Sequence, residues 1–117
     1  MNKEELKLRT KQFALRTIKL VRSLPKDVPG KVLPNQLMRS ATSVGANYRS
    51  ACRGRSKAEW RAKLGISLEE VDESAFSLEL IMEDGMLPLQ RVEPLWKEAD
   101  ELCAIFYTAL ESARRPS

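Results

Sequence analysis

Histidine is absent from the 117 residues. The side chain that most often exchanges protons near neutral pH is therefore missing, and with it the usual zinc ligand and every triad built on an imidazole. Carboxylates and lysines can still do chemistry, but no constellation of them stands out, so no enzyme, catalytic residue or cofactor is expected. Only two cysteines are present, Cys52 and Cys103, too few and too far apart for a metal motif. They read as small apolar core residues of a reducing compartment. Aromatic residues are scarce, at 6%, and none interleaves clearly with the basic ones, so neither base stacking nor sequence-specific readout is expected. The five glycines include Gly45 in a small-residue stretch, yet none falls in a G-x-G-x-x-G or P-loop frame. No apolar run approaches the ~20 residues that cross a bilayer, so no membrane partner is expected. The opening "MNKEELKLRTKQF" lacks the apolar core of a secretion signal. These absences point to the cytoplasm.

What is present is heptad order. The length suits one domain with one core, and a hydrophobic content of 43% beside 31% charged residues suits a helix-rich globular chain. Leu6, Phe13, Leu20 and Leu24, with Thr10 and Thr17 between them, form one helical stripe. Pro25, Pro29, Gly30 and Pro34 then interrupt it. The next stretch, "SATSVGANYRSACRGRS", looks like a linker by composition. Leu37, Ala41, Val44, Tyr48 and Ala51 nevertheless keep the four–three step of a packed helix. Its small residues imply a neighbouring backbone close by. Ser56 and Glu59 open a third helix as a capping box. There Trp60, Leu64, Ser67, Val71, Ser74, Leu78 and Ile81 keep the same step, ended by Gly85 and Pro88. Leu95, Ala99, Leu102, Phe106 and Ala109 mark a fourth helix, with Pro94 in its first turn. Short links between four helices predict an all-α, antiparallel up-down-up-down bundle of a single domain over 1–117, with helices at about 3–24, 35–53, 57–84 and 92–113.

Charge is unevenly spread. Residues 1–34 hold nine Lys/Arg against three acids and residues 35–63 seven against one, whereas residues 64–101 hold eleven acids against two bases. Such a chain either presents a basic face to nucleic acid or pairs complementary faces within or between subunits. The bundle topology gathers Arg49, Arg53, Arg55, Lys57 and Arg61 around one hairpin. It adds Lys3, Lys7, Arg9, Arg114 and Arg115 at the same end, and this pole is the candidate nucleic-acid-binding surface. Counting residues from the hairpin puts Arg39 level with Glu70 and Glu73 at about 1.5 Å per residue, so an inter-helix ion pair is expected there. The run Glu69, Glu70, Asp72, Glu73 lacks the partner motifs of a di-metal bundle and reads as a solvated or subunit-facing surface. Leu8, Leu15 and Ile18 on the first helix, and Phe76 and Leu80 on the third, lie off the core stripes and suggest subunit contacts. Trp60 and Trp96 read as core or interface anchors.

The segments "NQLMRSATSVGANYRSACRGRSKAEW" and "LGISLEEVDES" resemble the bacterial four-helix-bundle family named for proteins encoded in intervening sequences of 23S ribosomal RNA genes. Gln36, Leu37, Arg39, Ala41, Ser43, Asn47, Ser56, Glu59, Trp60 and Glu73 carry the likeness. The chain departs from the commoner pattern at Ser50–Ala51, where others have Glu and Gly, and at Glu69–Glu70, where others have Gly and Ser. The resemblance implies an antiparallel bundle that assembles with itself as a ring-shaped homopentamer. It also connects the chain to the accessory variability determinants of diversity-generating retroelements, basic pentamers that partner a reverse transcriptase and its RNA. Two readings follow. One is a non-enzymatic oligomer contacting RNA, DNA or a reverse transcriptase-like protein through its basic pole. The other is a protein-interaction scaffold whose charges serve only ring assembly.

Overall fold

In the computed structural model, which describes residues 1–27 and 31–115, the chain forms four α-helices: α1 (Lys3–Arg22), α2 (Val32–Cys52), α3 (Lys57–Asp84) and α4 (Leu89–Arg114). Each packs against its chain neighbours and α4 closes back on α1, whereas the diagonal pairs meet through side chains, as Tyr48 does Phe106 and Lys3 does Trp60. The result is an antiparallel square bundle about 50 Å long and 21 by 20 Å across. No strand occurs among the described residues.

Local chemistry sets the helix ends. Asn2 caps α1 by accepting the Glu5 amide hydrogen at 2.8 Å. Ser56 caps α3 in the same way, its hydroxyl accepting from the Glu59 amide. The Glu59 carboxylate then reaches past the cap and accepts from the Arg55 amide at 2.6 Å, one residue earlier than the capping-box expectation. Gly85 ends α3 in the left-handed region at φ 74°, where a side chain is disfavoured.

Two helix starts differ from expectation, and proline is the reason in both. α2 begins at Val32 rather than 35, with Pro34 inside its first turn, where a missing amide hydrogen costs nothing. α4 begins at Leu89 rather than 92, Pro88 being its cap, so Pro94 lies a turn deeper than the first-turn position expected of it. Only one intrahelical hydrogen bond is lost there, close to an exposed end. The start of α1 and both ends of α3 fall where expected, and the other ends differ by a residue or two, α1 closing at Arg22 with Ser23 as its cap. Pro29 and Gly30 lie outside the described residues.

The core follows the heptad lines. Phe13, Leu37, Val44, Leu64, Val71, Leu78, Ile81, Leu102 and Phe106 are fully buried, and Val92, one step before the start of the stripe read from the sequence, joins them. The small residues of α2 serve close packing. A Cβ at Gly45 would stand 3.1 Å from Thr10 Oγ1 on α1. Between α2 and α3 the buried hydroxyls of Ser40 and Ser74 meet at 2.9 Å, and Ser67 donates to the Val44 carbonyl at 3.0 Å. These groups exchange water for protein partners, so helices can approach over polar residues without an unsatisfied atom among the described residues.

Candidate functional site

The α2–α3 hairpin builds one end of the rod. Arg53 closes α2 with its amide on the Arg49 and Ser50 carbonyls, and the Gly54 amide donates to Ala51 at 2.9 Å. A Cβ at Gly54 would come within 3.0 Å of that same carbonyl. The backbone of the turn is thus tied down, which fixes where its charged side chains emerge.

Arg49, Arg53, Arg55, Lys57, Arg61, Arg114 and Arg115 are all exposed, and the structure brings them to this one pole. Arg49 and Arg53 stand on the ridge of α2 between two grooves. On one side, a groove of about 530 Å³ between α1 and α2 has Lys7 and Lys11 on its far wall and Gly45 and Ala46 on its floor. On the other, a groove of about 440 Å³ is bounded by Arg55, Glu59 and Lys63. A third groove, between α3 and α4, is lined by Arg61, Arg114, Leu110 and Ile66. Among the described residues no carboxylate pairs with Arg49, Arg53, Arg55, Arg61, Lys63 or Lys11. Glu4 and Glu59, which line the first two grooves, offset the positive charge there only in part.

Other cations are already engaged. Arg9, expected at the pole, instead reaches Glu98 on α4 through two hydrogen bonds of 2.7 Å, with Glu101 at 3.3 Å. Its side chain is 24% exposed and that of Glu98 14%. The guanidinium is held more firmly charged than usual, chiefly by the Glu98 hydrogen bond. Arg9 therefore closes the α1–α4 seam and contributes little outward charge. Lys7 pairs with Glu4, and Arg114 with Glu111, at 3.1 Å each. Lys63 and Lys11 complete the grooves and are not among the residues expected from sequence, because counting from the hairpin singles out only its immediate neighbours. Their signal is helical spacing, Lys11 one turn beyond Lys7 and Lys63 one turn beyond Glu59.

Midway along the rod Arg39 bridges α2 and α3, with Nη1 donating to Glu70 and Nη2 to Glu73, both at 3.0 Å. The Glu73 hydrogen bond and both acidic charges strengthen its positive state. Glu70 lies under this bridge, and burial first, then the neighbouring Glu73, hold its carboxyl above the ordinary value despite the opposing pull of Arg39. Beside it, Glu73, Asp72 and Glu79 border a groove of about 430 Å³ that includes the exposed Phe76 ring. Among the described residues no group of three or more Cys, Asp or Glu is placed to hold a metal ion. Burial, then Asp72 and Asp100, raise the Cys103 thiol to about 11, which leaves it a poor nucleophile. Burial likewise raises the Tyr48 hydroxyl, with the Cys52 contact second.

Of the off-stripe apolar residues, Leu8, Leu15, Phe76 and Leu80 are 56%, 57%, 61% and 40% exposed. Ile18 is half-buried, because the turn of α1 carries it toward the packed side, and it does not belong with that exposed set. Trp96 anchors α4 to α3, its indole donating to Glu79 at 3.2 Å. Trp60 is half-buried at the basic pole beneath Lys3, whose ammonium lies 4.8 Å from the ring centre. An aromatic ring does meet the basic residues in space, contrary to the expectation from sequence, since α1 brings Lys3 to a tryptophan on α3.

The fold and this charge distribution define a class: an antiparallel four-helix bundle with a tight small-residue helix pair and one strongly basic end. Within it, the family model described as 23S rRNA-intervening sequence protein matches residues 3–108, and the chain belongs to that family. Among solved structures it is similar to a crystal structure of a protein of unknown function from the S23 ribosomal protein family of Bacteroides thetaiotaomicron VPI-5482. The two are 28% identical, with 95% of this chain and 99% of that one covered and a TM-score of 0.86. No curated protein matches the chain. No described helix is long and apolar enough to cross a membrane.

Proposed function

We propose that the protein is a non-enzymatic, cytoplasmic homo-oligomer, a ring of five subunits, whose basic pole contacts the phosphates of a nucleic acid. One observation carries the reading: Arg49, Arg53, Arg55, Arg61 and Lys63 crowd one end of the rod with no acidic partner among the described residues. Like charges gathered this closely repel one another, and a polyanion relieves them while releasing its own counterions. Repetition around a ring multiplies the contacts without any new chemistry. The family name refers to a 23S rRNA intervening sequence and the relative's to a ribosomal protein family; both supply an RNA setting and neither names an activity.

Assembly draws on a second set of features. Leu8 and Leu15 sit on a helix rich in lysine and arginine, whereas Phe76 and Leu80 sit among Asp72, Glu73, Glu79 and Glu83. Unlike surfaces of this kind meet head to tail, and a head-to-tail contact whose rotation closes makes a ring. Five as the subunit number rests on the family resemblance.

Two charge-reversal pairs test the reading at equal net charge. R49E/R53E alters the pole, and K19E/R22E alters the far half of α1. The pole pair is expected to weaken binding of mixed RNA by about tenfold or more while the distal pair changes it little. Equal losses would show that net charge alone matters. No retention of RNA by the native chain at low salt, with the oligomer intact in sedimentation, would leave the scaffold reading in its place.

A further inference from the structure

Where α1 and α4 meet at the basic pole they leave an opening of about 490 Å³, lined mainly by apolar groups including Met1, Leu6, Tyr48, Trp60 and Ile105. Its size lies within the range of sites that hold small planar ligands. Tyr48, itself buried, backs the Trp60 indole at 6.2 Å and meets Phe106 edge-on at 5.7 Å, so the plane of the indole is set by the core. Over the indole stands the flexible, exposed Lys3 side chain, its Nζ 4.8 Å from the ring centre.

We propose that Trp60 is a stacking platform for one unpaired base of a single-stranded nucleic acid, with the Lys3 ammonium as its displaceable cover. An exposed ammonium over an indole is weakly held, because water competes for the charge. A base offers a second π-face and removes apolar area from water, and such stacks are stronger and tolerant of sequence. When the base enters, Lys3 swings off the ring and meets the phosphate of the same nucleotide, so the cation is kept within the contact. The bases of a duplex are already stacked and paired, and delivering one to the groove requires opening the helix. The site therefore selects single strands over duplexes while the surrounding arginines hold either by its backbone. This rests on the phosphate-binding reading of the pole and adds the form of nucleic acid it takes.

The two tryptophans of the chain are Trp60 and Trp96, so W96F leaves Trp60 as the single indole reporter. A single-stranded oligoadenylate of about twelve nucleotides and a duplex of equal length are titrated into this variant at low salt, following indole emission and the anisotropy of the labelled strand. The expected result is quenching of Trp60 by the single strand, little quenching by the duplex, and tighter binding of the single strand. W60L is expected to lower single-strand affinity by about tenfold and leave duplex affinity within about twofold. Circular dichroism checks its fold, and W60F, which retains a π-face, recovers part of the loss. Binding of both nucleic acids with silent Trp60 emission, or equal weakening of both by W60L, overturns the stacking platform but not the basic pole. Binding of neither overturns both.

Discussion

The α1–α4 seam has no hairpin to hold it, and the Arg9–Glu98 pair is the lock that the structure places there. Substituting Arg9 by Met removes two charge-assisted hydrogen bonds of 2.7 Å and leaves the Glu98 carboxylate, 14% exposed, with no cation beside it. Loss of one partner from a largely buried pair costs more than the pair contributes, and here about 2 kcal/mol is expected. For a chain of this length that corresponds to about 6–10 °C in melting temperature. The reverse change, Glu98→Leu, is milder at about 1 kcal/mol, because Arg9 is 24% exposed and retains Glu101 at 3.3 Å. The double variant R9M/E98L replaces the pair by apolar groups of similar shape, and should cost no more than the milder single change. Urea denaturation of the four proteins gives the coupling directly, with an expected value of about 2 kcal/mol. Single changes that simply add, or an E98L variant less stable than R9M, would refute the role given to this lock.

Three further outcomes follow from particular side chains. A Cβ at Gly65 would meet nothing within 4 Å and the helix there is regular, whereas Gly85 has equal space but φ 74°; Gly65→Ala should add and Gly85→Ala should remove about 0.5–1 kcal/mol, read from urea midpoints, and matching signs would be inconsistent with the geometry. Ser67→Leu forces extra volume between α2 and α3 where the hydroxyl now bonds Val44, and about 2–3 kcal/mol of lost stability is expected, against which an unchanged melting curve would count. Burial holds the folded Glu70 carboxyl above its unfolded value, so its charge costs stability once pH rises through the folded value. Glu70→Gln should therefore gain on the native chain between about pH 4 and pH 7 in urea titrations, and a loss over that window would reverse the assigned cause.

Much of the molecule is legible in the sequence because one period runs through it. Residues at the four–three step in "SATSVGANYRSACRGRS" have to share a helix face, and Ala41, Val44, Tyr48 and Ala51 are all buried. Arg39 and its two glutamates can be matched by depth because a hairpin fixes the offset between α2 and α3. No turn joins α1 to α4, so counting gives no offset for that seam, and Arg9 is drawn to the pole on paper while in space it serves Glu98. The groove above Trp60 is hidden for the same reason, since it depends on how far α4 runs past the level of Lys3. Several of the motif residues behind the family likeness turn out to serve architecture. Ser56 and Glu59 fix the start of α3, Asn47 donates to the Ser43 carbonyl at 2.9 Å, and Arg39 bridges to Glu73. Apart from Trp60, such a motif identifies a fold and leaves the ligand to the exposed charges.

The unpaired cations of the pole are tested most directly by the salt dependence of RNA binding, measured by fluorescence anisotropy for the native chain and for R49A/R53A. Each phosphate neutralised on a single strand contributes about −0.7 to the slope of log K against log salt. The native chain should therefore show a steep negative slope, made shallower by about 1.4 in the double variant. A slope near zero, or one that the two substitutions leave unchanged, would contradict a pole built to hold phosphate.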